Sequence, residues 1–314
     1  MNTVSTKPIV IGVDGSPESV RAAVAAALVS RRTGAVCHLV HAVPVADYQA
    51  MLPPGMSLDA EQVAGSAVEG ARQQVLSALS GQIPISILET LDVRPGRAAV
   101  VLEETVRRLG AGLIVMGAKR HRGLGLLGGS AITHVLRTCN VPLLAIDGSS
   151  PTITRILAAV DVSYAAEKTL ATAESWAETF GAELRVVHAV EPVPIIPGVP
   201  LNVGDKEFFA SEQRLLELNL WPRIRNQKTT HTVMRRGRAA DVIMREAERF
   251  EADLVVLGSH GKGWAHRLLL GSTTERLLHG LPAMALVVPV AKPSHRHVTD
   301  DVEMPWEEMA EANN

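Results

Sequence analysis

Cysteine occurs only twice in this chain, at Cys37 and Cys139. Two isolated thiols build neither a disulfide framework nor a zinc cluster, and they suit a reducing compartment, so both are expected as buried structural residues. Aromatic residues are as scarce, at 3%, against 46% hydrophobic residues in all, which makes the cores aliphatic. Charge of one sign is also lacking: the formal net charge is -2 over 314 residues. No bulk field then favours DNA, RNA or an anionic membrane, and any anion must be bound locally. Nucleic acid and membrane are excluded as expected partners. No apolar run reaches the ~18 to 20 residues that cross a bilayer. The start, MNTVSTKPIVIGVDGS, enters a strand with no basic region or cleavage site of a secretory leader, and the expected location is cytoplasmic.

What the chain has is itself, twice. Pro8 to Ser16 (PIVIGVDGS) matches Arg155 to Ser163 (RILAAVDVS), and Leu39 to Val43 (LVHAV) matches Val186 to Val190 (VVHAV). The order continues with Gly96-Arg97-Ala98-Ala99 and Gly237-Arg238-Ala239-Ala240, then AGLIVMG at 111–117 and ADLVVLG at 252–258, then VPLLAI at 141–146 and LPAMAL at 281–286. A period of about 145 residues marks duplicated domains rather than a solenoid. The expected division is 1–148 and 151–290, with a short linker at Gly148-Ser149-Ser150-Pro151. Residues 291–314 carry Asp300, Asp301, Glu303, Glu307, Glu308 and Glu311 with little apolar periodicity, and are expected as a disordered acidic tail.

The apolar runs are continuous rather than alternating, as in strands covered by helices on both faces of a parallel sheet. Helical patterns fill the gaps at 19–33, 62–79, 97–109 and 132–138, and again at 165–180, 206–226, 239–250 and 273–279. Strand and helix thus alternate through both halves, and short right-handed crossovers turn each into a doubly wound sheet. The expected fold class is α/β: two tandem doubly wound five-stranded parallel-sheet domains.

In such sheets a ligand sits beyond the carboxyl ends of the strands, where strand order reverses. Asp14 and Asp161 end the first strand of each half, placed to accept from ribose or an adenine amino group, although a helix N-cap explains an acid there too. After the fourth strand of the second half come Gly258-Ser259-His260-Gly261-Lys262-Gly263-Trp264 and then Gly271-Ser272-Thr273-Thr274. Glycines admit close backbone approach, and Gly271-Ser272 opens a helix whose free amides attract anions, with Ser272 and Thr273 adding hydroxyls. His260 lies within this candidate phosphate loop. Gly123 to Gly128 spells the dinucleotide fingerprint but follows the wrong strand, and no Walker A pattern occurs. His41 and His188 occupy equivalent strand ends without clustered metal ligands, which favours packed histidines. No nucleophile with base and no paired carboxylates lie near the loop, so a fast enzyme is not expected.

The spacing of Gly258, two residues, Gly261, nine residues, Gly271-Ser272 resembles the ATP-binding signature of the universal stress protein family. With "VDGS" at Val13 to Ser16 and the two "HAV" strand ends, the resemblance covers 8–147 and 155–290, as in tandem members. It implies that Asp14 or Asp161 meets the adenosine, that Ala42 or Ala189 lies near adenine with Met116 or Leu257 flanking the base, and that Gly258, Gly261, Gly271 and Ser272 hold the phosphates. Gly117, Gly129 and Ser130 are the first-half counterparts, and the resemblance further implies that the two halves pack as a pseudo-twofold pair through their last strands, 141–146 and 283–289. The implied cofactor is ATP, with or without magnesium, and AMP and cyclic AMP stay open. A homodimer and a protein partner of unknown identity are the further expected partners.

The first half departs from the pattern, with Arg120 where the second glycine belongs and Gly129-Ser130 arriving one residue early, while Lys119, Arg120 and Arg122 supply positive charge. The second half has Val162 in place of Gly15 and reaches Pro282 two residues sooner than its counterpart. The second half is therefore expected to bind better. Three readings stand: a nucleotide-binding stress-response regulator, a slow ATPase or nucleotidyl-transfer enzyme, and an interaction protein with drifted loops. Pro44 to Gly55 and Pro192 to Gly204 are expected as mobile lids beside the nucleotide.

Overall fold

The computed structural model describes residues 4, 6–44, 60–118, 131–147, 152–163, 165–192, 205–259, 270–280 and 283–289. The linker, the acidic tail, most of both expected lids, and the loop positions 119–130 and 260–269 lie outside the described residues.

The first half runs β1 (Ile9–Gly12), α1 (Pro17–Thr33), β2 (Cys37–Val43), α2 (Ala60–Leu79), a one-turn α3 (Ile85–Leu88), β3 (Asp92–Pro95), α4 (Ala98–Leu109), β4 (Leu113–Gly117), α5 (Ala131–Thr138) and β5 (Leu143–Ile146). The second runs β6 (Arg155–Val160), α6 (Ala165–Phe180), β7 (Glu183–Val190), α7 (Asp205–Asn219), a 3-10 turn (Trp221–Arg223), β8 (His231–Arg236), α8 (Ala239–Phe250), β9 (Leu254–Gly258), α9 (Ser272–Gly280) and β10 (Met284–Val288). The helices follow the expected segments with one correction. The helix expected over 206–226 stops at Asn219, because Pro222 lacks the amide a continuing helix needs and the chain tightens into the 3-10 turn.

Local chemistry explains the boundaries. The Ser16 side chain accepts from the Ser19 amide at the start of α1, Pro17 supplies a preset φ in the first turn, and Gly34 closes the helix at φ 75°. Gly96 and Gly237 both have φ 134°, a conformation β-carbons oppose, which is why the Gly-Arg-Ala-Ala segment appears in both halves at the turn into α4 and α8.

Each half has strand order 3-2-1-4-5 with parallel pairing, and the two sheets fuse into one of ten strands, β3-β2-β1-β4-β5-β10-β9-β6-β7-β8. The only antiparallel pairing among the described strands is the join, where Leu143, Leu144 and Ala145 of β5 face Val287, Leu286 and Ala285 of β10. All six side chains are buried. The expected packing through the last strands is thus a continuous sheet, not a contact of two finished edges. Helices cover both faces, and two aliphatic clusters, one on each face, run across both halves. Cys37 and Cys139 are free and buried, and burial pushes both thiols above their usual pKa. No helix among the described residues is long and apolar enough to cross a membrane.

Candidate functional site

Strand order reverses between β1 and β4 in the first half and between β6 and β9 in the second, and a cleft opens at each switch point, as parallel sheets require. The first cleft, about 300 Å³, is lined by Asp14, His41, Ala42, Leu102, Met116 and Gly117 among others. The second, about 500 Å³, brings together Asp161, His188, Ala189, Leu257, Gly258, Gly271, Ser272 and Thr273. Residues spread over more than a hundred positions of sequence meet there because the ends of β6, β7 and β9 and the start of α9 converge. Of the expected site residues, Gly261, Gly129 and Ser130 lie outside the described residues, as do His260, Lys119, Arg120 and Arg122.

Each first-strand aspartate folds its own turn. Asp14 Oδ1 accepts from the Ser16 amide at 3.0 Å and from the Ser16 hydroxyl, and Asp161 Oδ1 accepts from the Ser163 amide at 3.0 Å and its hydroxyl at 2.5 Å. The helix cap is the serine; the aspartate stands two residues earlier, on the cleft wall. The alternative of a capping aspartate is thereby resolved into an Asx turn that presents the carboxyl group to the cleft.

One wall of the second cleft is a helix start. Gly271 donates its amide to Ser259 O at 3.0 Å, and Thr274 Oγ1 donates to Gly258 O at 2.9 Å, which pins the first turn of α9 against the end of β9. The N-terminal amides and positive dipole end of α9 are therefore presented beside Gly258. In the first cleft the described part of the corresponding wall is Ala131, Ile132 and Thr133. Gly117 lines the first cleft and has a packing reason besides. A β-carbon built on it falls 2.5 Å from Glu18 C and 2.6 Å from Glu18 O, so glycine there is demanded by the close passage of β4 under the first turn of α1.

The two histidines part company. His41 Nδ1 lies 2.6 Å from Val13 O and His188 Nδ1 lies 2.9 Å from Val160 O, so each ring fastens its strand to the one beside it. A carbonyl only accepts, hence Nδ1 carries a hydrogen in both. His188 Nε2 in addition meets Glu212 Oε2 at 2.9 Å, with the two side chains 1% and 6% exposed. One proton is therefore held between imidazole and carboxylate in the wall of the second cleft. Sequence reasoning missed Glu212, although it interrupts an inward stripe, Glu212, Leu216 and Leu220, at helical spacing. It also missed Glu191, whose Oε1 accepts from the Ala239 amide at 2.8 Å and satisfies the start of α8 where the first half has Pro44. No group of three metal-ligating side chains occurs among the described residues.

A doubly wound parallel unit with a cleft at its switch point and a helix start on the cleft wall, present twice, defines a Rossmann-like α/β protein, a geometry consistent with the adenine-nucleotide alpha-hydrolase fold. The universal stress protein family model matches residues 5–147 and again 152–289, and the chain belongs to that family. It is 28% identical over 299 residues to a universal stress protein of Mycobacterium tuberculosis, covering 89% of this chain and 96% of that one. A universal stress protein of Thermus aquaticus is 33% identical over 140 residues, 42% of this chain and 96% of its own length, as a single unit would be. In fold, a universal stress protein from Archaeoglobus fulgidus superposes with a TM-score of 0.63 at 18% identity, covering 91% of this chain and 99% of the other.

Proposed function

We propose that this protein is an adenine-nucleotide-binding regulator of a stress response, that its ligand is ATP, and that the second cleft is the principal site. The observation that carries this reading is the convergence of Asp161, Ala189, Leu257, Gly258, Gly271, Ser272 and Thr273 on one cleft at the switch point. In the proposed pose the adenine lies between Ala189 and Leu257, the ribose meets Asp161, and the phosphates face the start of α9 and the loop that contains Gly261. Asp14, Ala42, Met116, Gly117, Gly129 and Ser130 form the corresponding first-half site, which binds more weakly in this reading. The chain works as a binding protein rather than a catalyst: ligand shifts the balance between two conformations or assemblies, in proportion to its preference for one of them. A homodimer of the whole chain in the cytoplasm is part of the proposal.

The test is to denature the purified protein, identify any released nucleotide by mass spectrometry, and titrate the stripped protein with ATP by calorimetry. Wild type should release or bind ATP. Gly261→Arg, which copies Arg120 into the second loop, and Asp161→Ala should each weaken binding by about tenfold or more, a loss of about 1.4 kcal/mol. An empty wild type that gives no heat with ATP, AMP or cyclic AMP overturns the reading in favour of an interaction protein, and sustained phosphate release by purified protein would replace the regulator with an ATPase.

A further inference from the structure

The two clefts are not independent enclosures. Beside its own Ala131, Ile132 and Thr133, the first cleft is lined by Leu278, a residue of the second half. Leu278 stands on α9, the same helix whose first residues, Ser272, Thr273 and Thr274, line the second cleft. The fused sheet explains how one short helix reaches both. Helix α5 leads into β5 and α9 leads into β10, and because those strands pair antiparallel, the two helices approach the join from opposite ends. Both pack into the same face cluster, through Ile132, Val135 and Leu136 on one side and Leu277 and Leu278 on the other. The late residues of α9 are thereby brought to the early residues of α5.

The arrangement is one-sided. In the repeat alignment that pairs Ser130 with Ser272, Leu136 is the counterpart of Leu278, yet Leu136 does not line the second cleft. Among the described residues that line it, all belong to the second half. Leu136 is buried at 8% exposure, whereas Leu278 is half-buried with part of its surface on the first cleft.

We propose that the first cleft is a composite site completed by Leu278, and that ATP seated against the first turn of α9 in the second cleft changes the affinity of the first cleft by moving that leucine. This rests on the reading that the second cleft binds ATP. A nine-residue helix held by packing moves as a rigid rod, so a shift at Ser272 is delivered at Leu278. The coupling runs both ways for equilibrium binding, since each ligand must change the other's affinity by the same factor.

The experiment uses the full chain and calorimetric titration with ATP. First-cleft affinity is measured in wild type, where the second cleft fills first, and in Asp161→Ala, where second-cleft occupancy is lowered. The expected difference is about five-fold or more, the lower end of ordinary coupling between sites, falling below about two-fold in the Leu278→Ala background while Leu136→Ala leaves it intact. Leu278→Gln, similar in length but polar, gives the same expected loss if the alanine variant does not fold. Equal first-cleft affinity in wild type and Asp161→Ala, or a difference that survives loss of Leu278, overturns the coupling. An ATP isotherm that Asp161→Ala leaves wholly unchanged sinks the second-cleft reading, and the coupling with it.

Discussion

At the scale of single residues, the same letter in the two repeats need not answer to the same force. Gly258 and Gly117 end equivalent strands, and both are expected site residues. For Gly117 the geometry points to packing: a methyl group would overlap the Glu18 backbone at 2.5 and 2.6 Å, where neither partner is a flexible side chain that could swing away. Gly117→Ala should therefore lower stability by about 1–3 kcal/mol, the usual cost of forcing extra volume into a packed site. The urea midpoint of the stripped protein is the measurement, because nucleotide is then not involved. An unchanged midpoint would leave the first cleft as the sole reason for glycine at this position. Glu212 teaches the converse. Its chemistry was invisible in a motif search because its partner, His188, is 24 positions away and had every appearance of a packed core residue.

Among elements, the pieces most legible in the sequence were those with local punctuation. Ser16-Pro17 and Gly34 bracket α1, and continuous apolar runs mark β1, β4, β6 and β9, so these lay where expected. The outer strands β3 (DVRP) and β8 (HTVMRR) carry no such run, since each lies at a sheet edge and is only partly covered, and their positions could not be read from hydrophobicity. The cleft residues carried by strand ends, and Ser272 and Thr273 at the start of α9, are legible in the sequence, whereas Glu212 of α7 and Leu278 late in α9 are not, because a helix delivers such side chains by its packing angle and not by a motif. The shortened α7 shows what takes over when the helix stops. After the 3-10 turn the chain is captured by Glu174 of α6, which accepts from the Arg225 amide at 2.7 Å and from Arg225 Nε at 2.9 Å. Glu174 is 6% exposed, so Glu174→Ala removes a buried carboxylate that accepts two hydrogen bonds from Arg225 and should cost about 1.5–3 kcal/mol, the usual range for bonds to a charged group. Hydrogen exchange should show the Arg225 amide opening in the variant; protection equal to wild type would mean the turn is held by its own geometry.

For the whole molecule, the decisive feature is the join between β5 and β10, which turns two repeats into one sheet whose face clusters cross the boundary. If that join is as stable as the strands it links, damage to one half must be felt in the other. The sequence supplies a convenient observer, because all four tryptophans, Trp176, Trp221, Trp264 and Trp306, belong to the second half or follow it. Ile114 of β4 is fully buried in the first half, at 0% exposure, and its truncation to alanine should cost about 2–5 kcal/mol through lost burial and the cavity left behind. Tryptophan fluorescence in Ile114→Ala should then report a lowered transition that coincides with the one seen by circular dichroism, as expected of a single cooperative unit. A fluorescence midpoint that stays at the wild-type value while circular dichroism splits into two steps would mean the halves unfold separately. In that event the sheet is continuous in geometry but not in energy, and α9 would have too compliant a base to carry a signal from one cleft to the other.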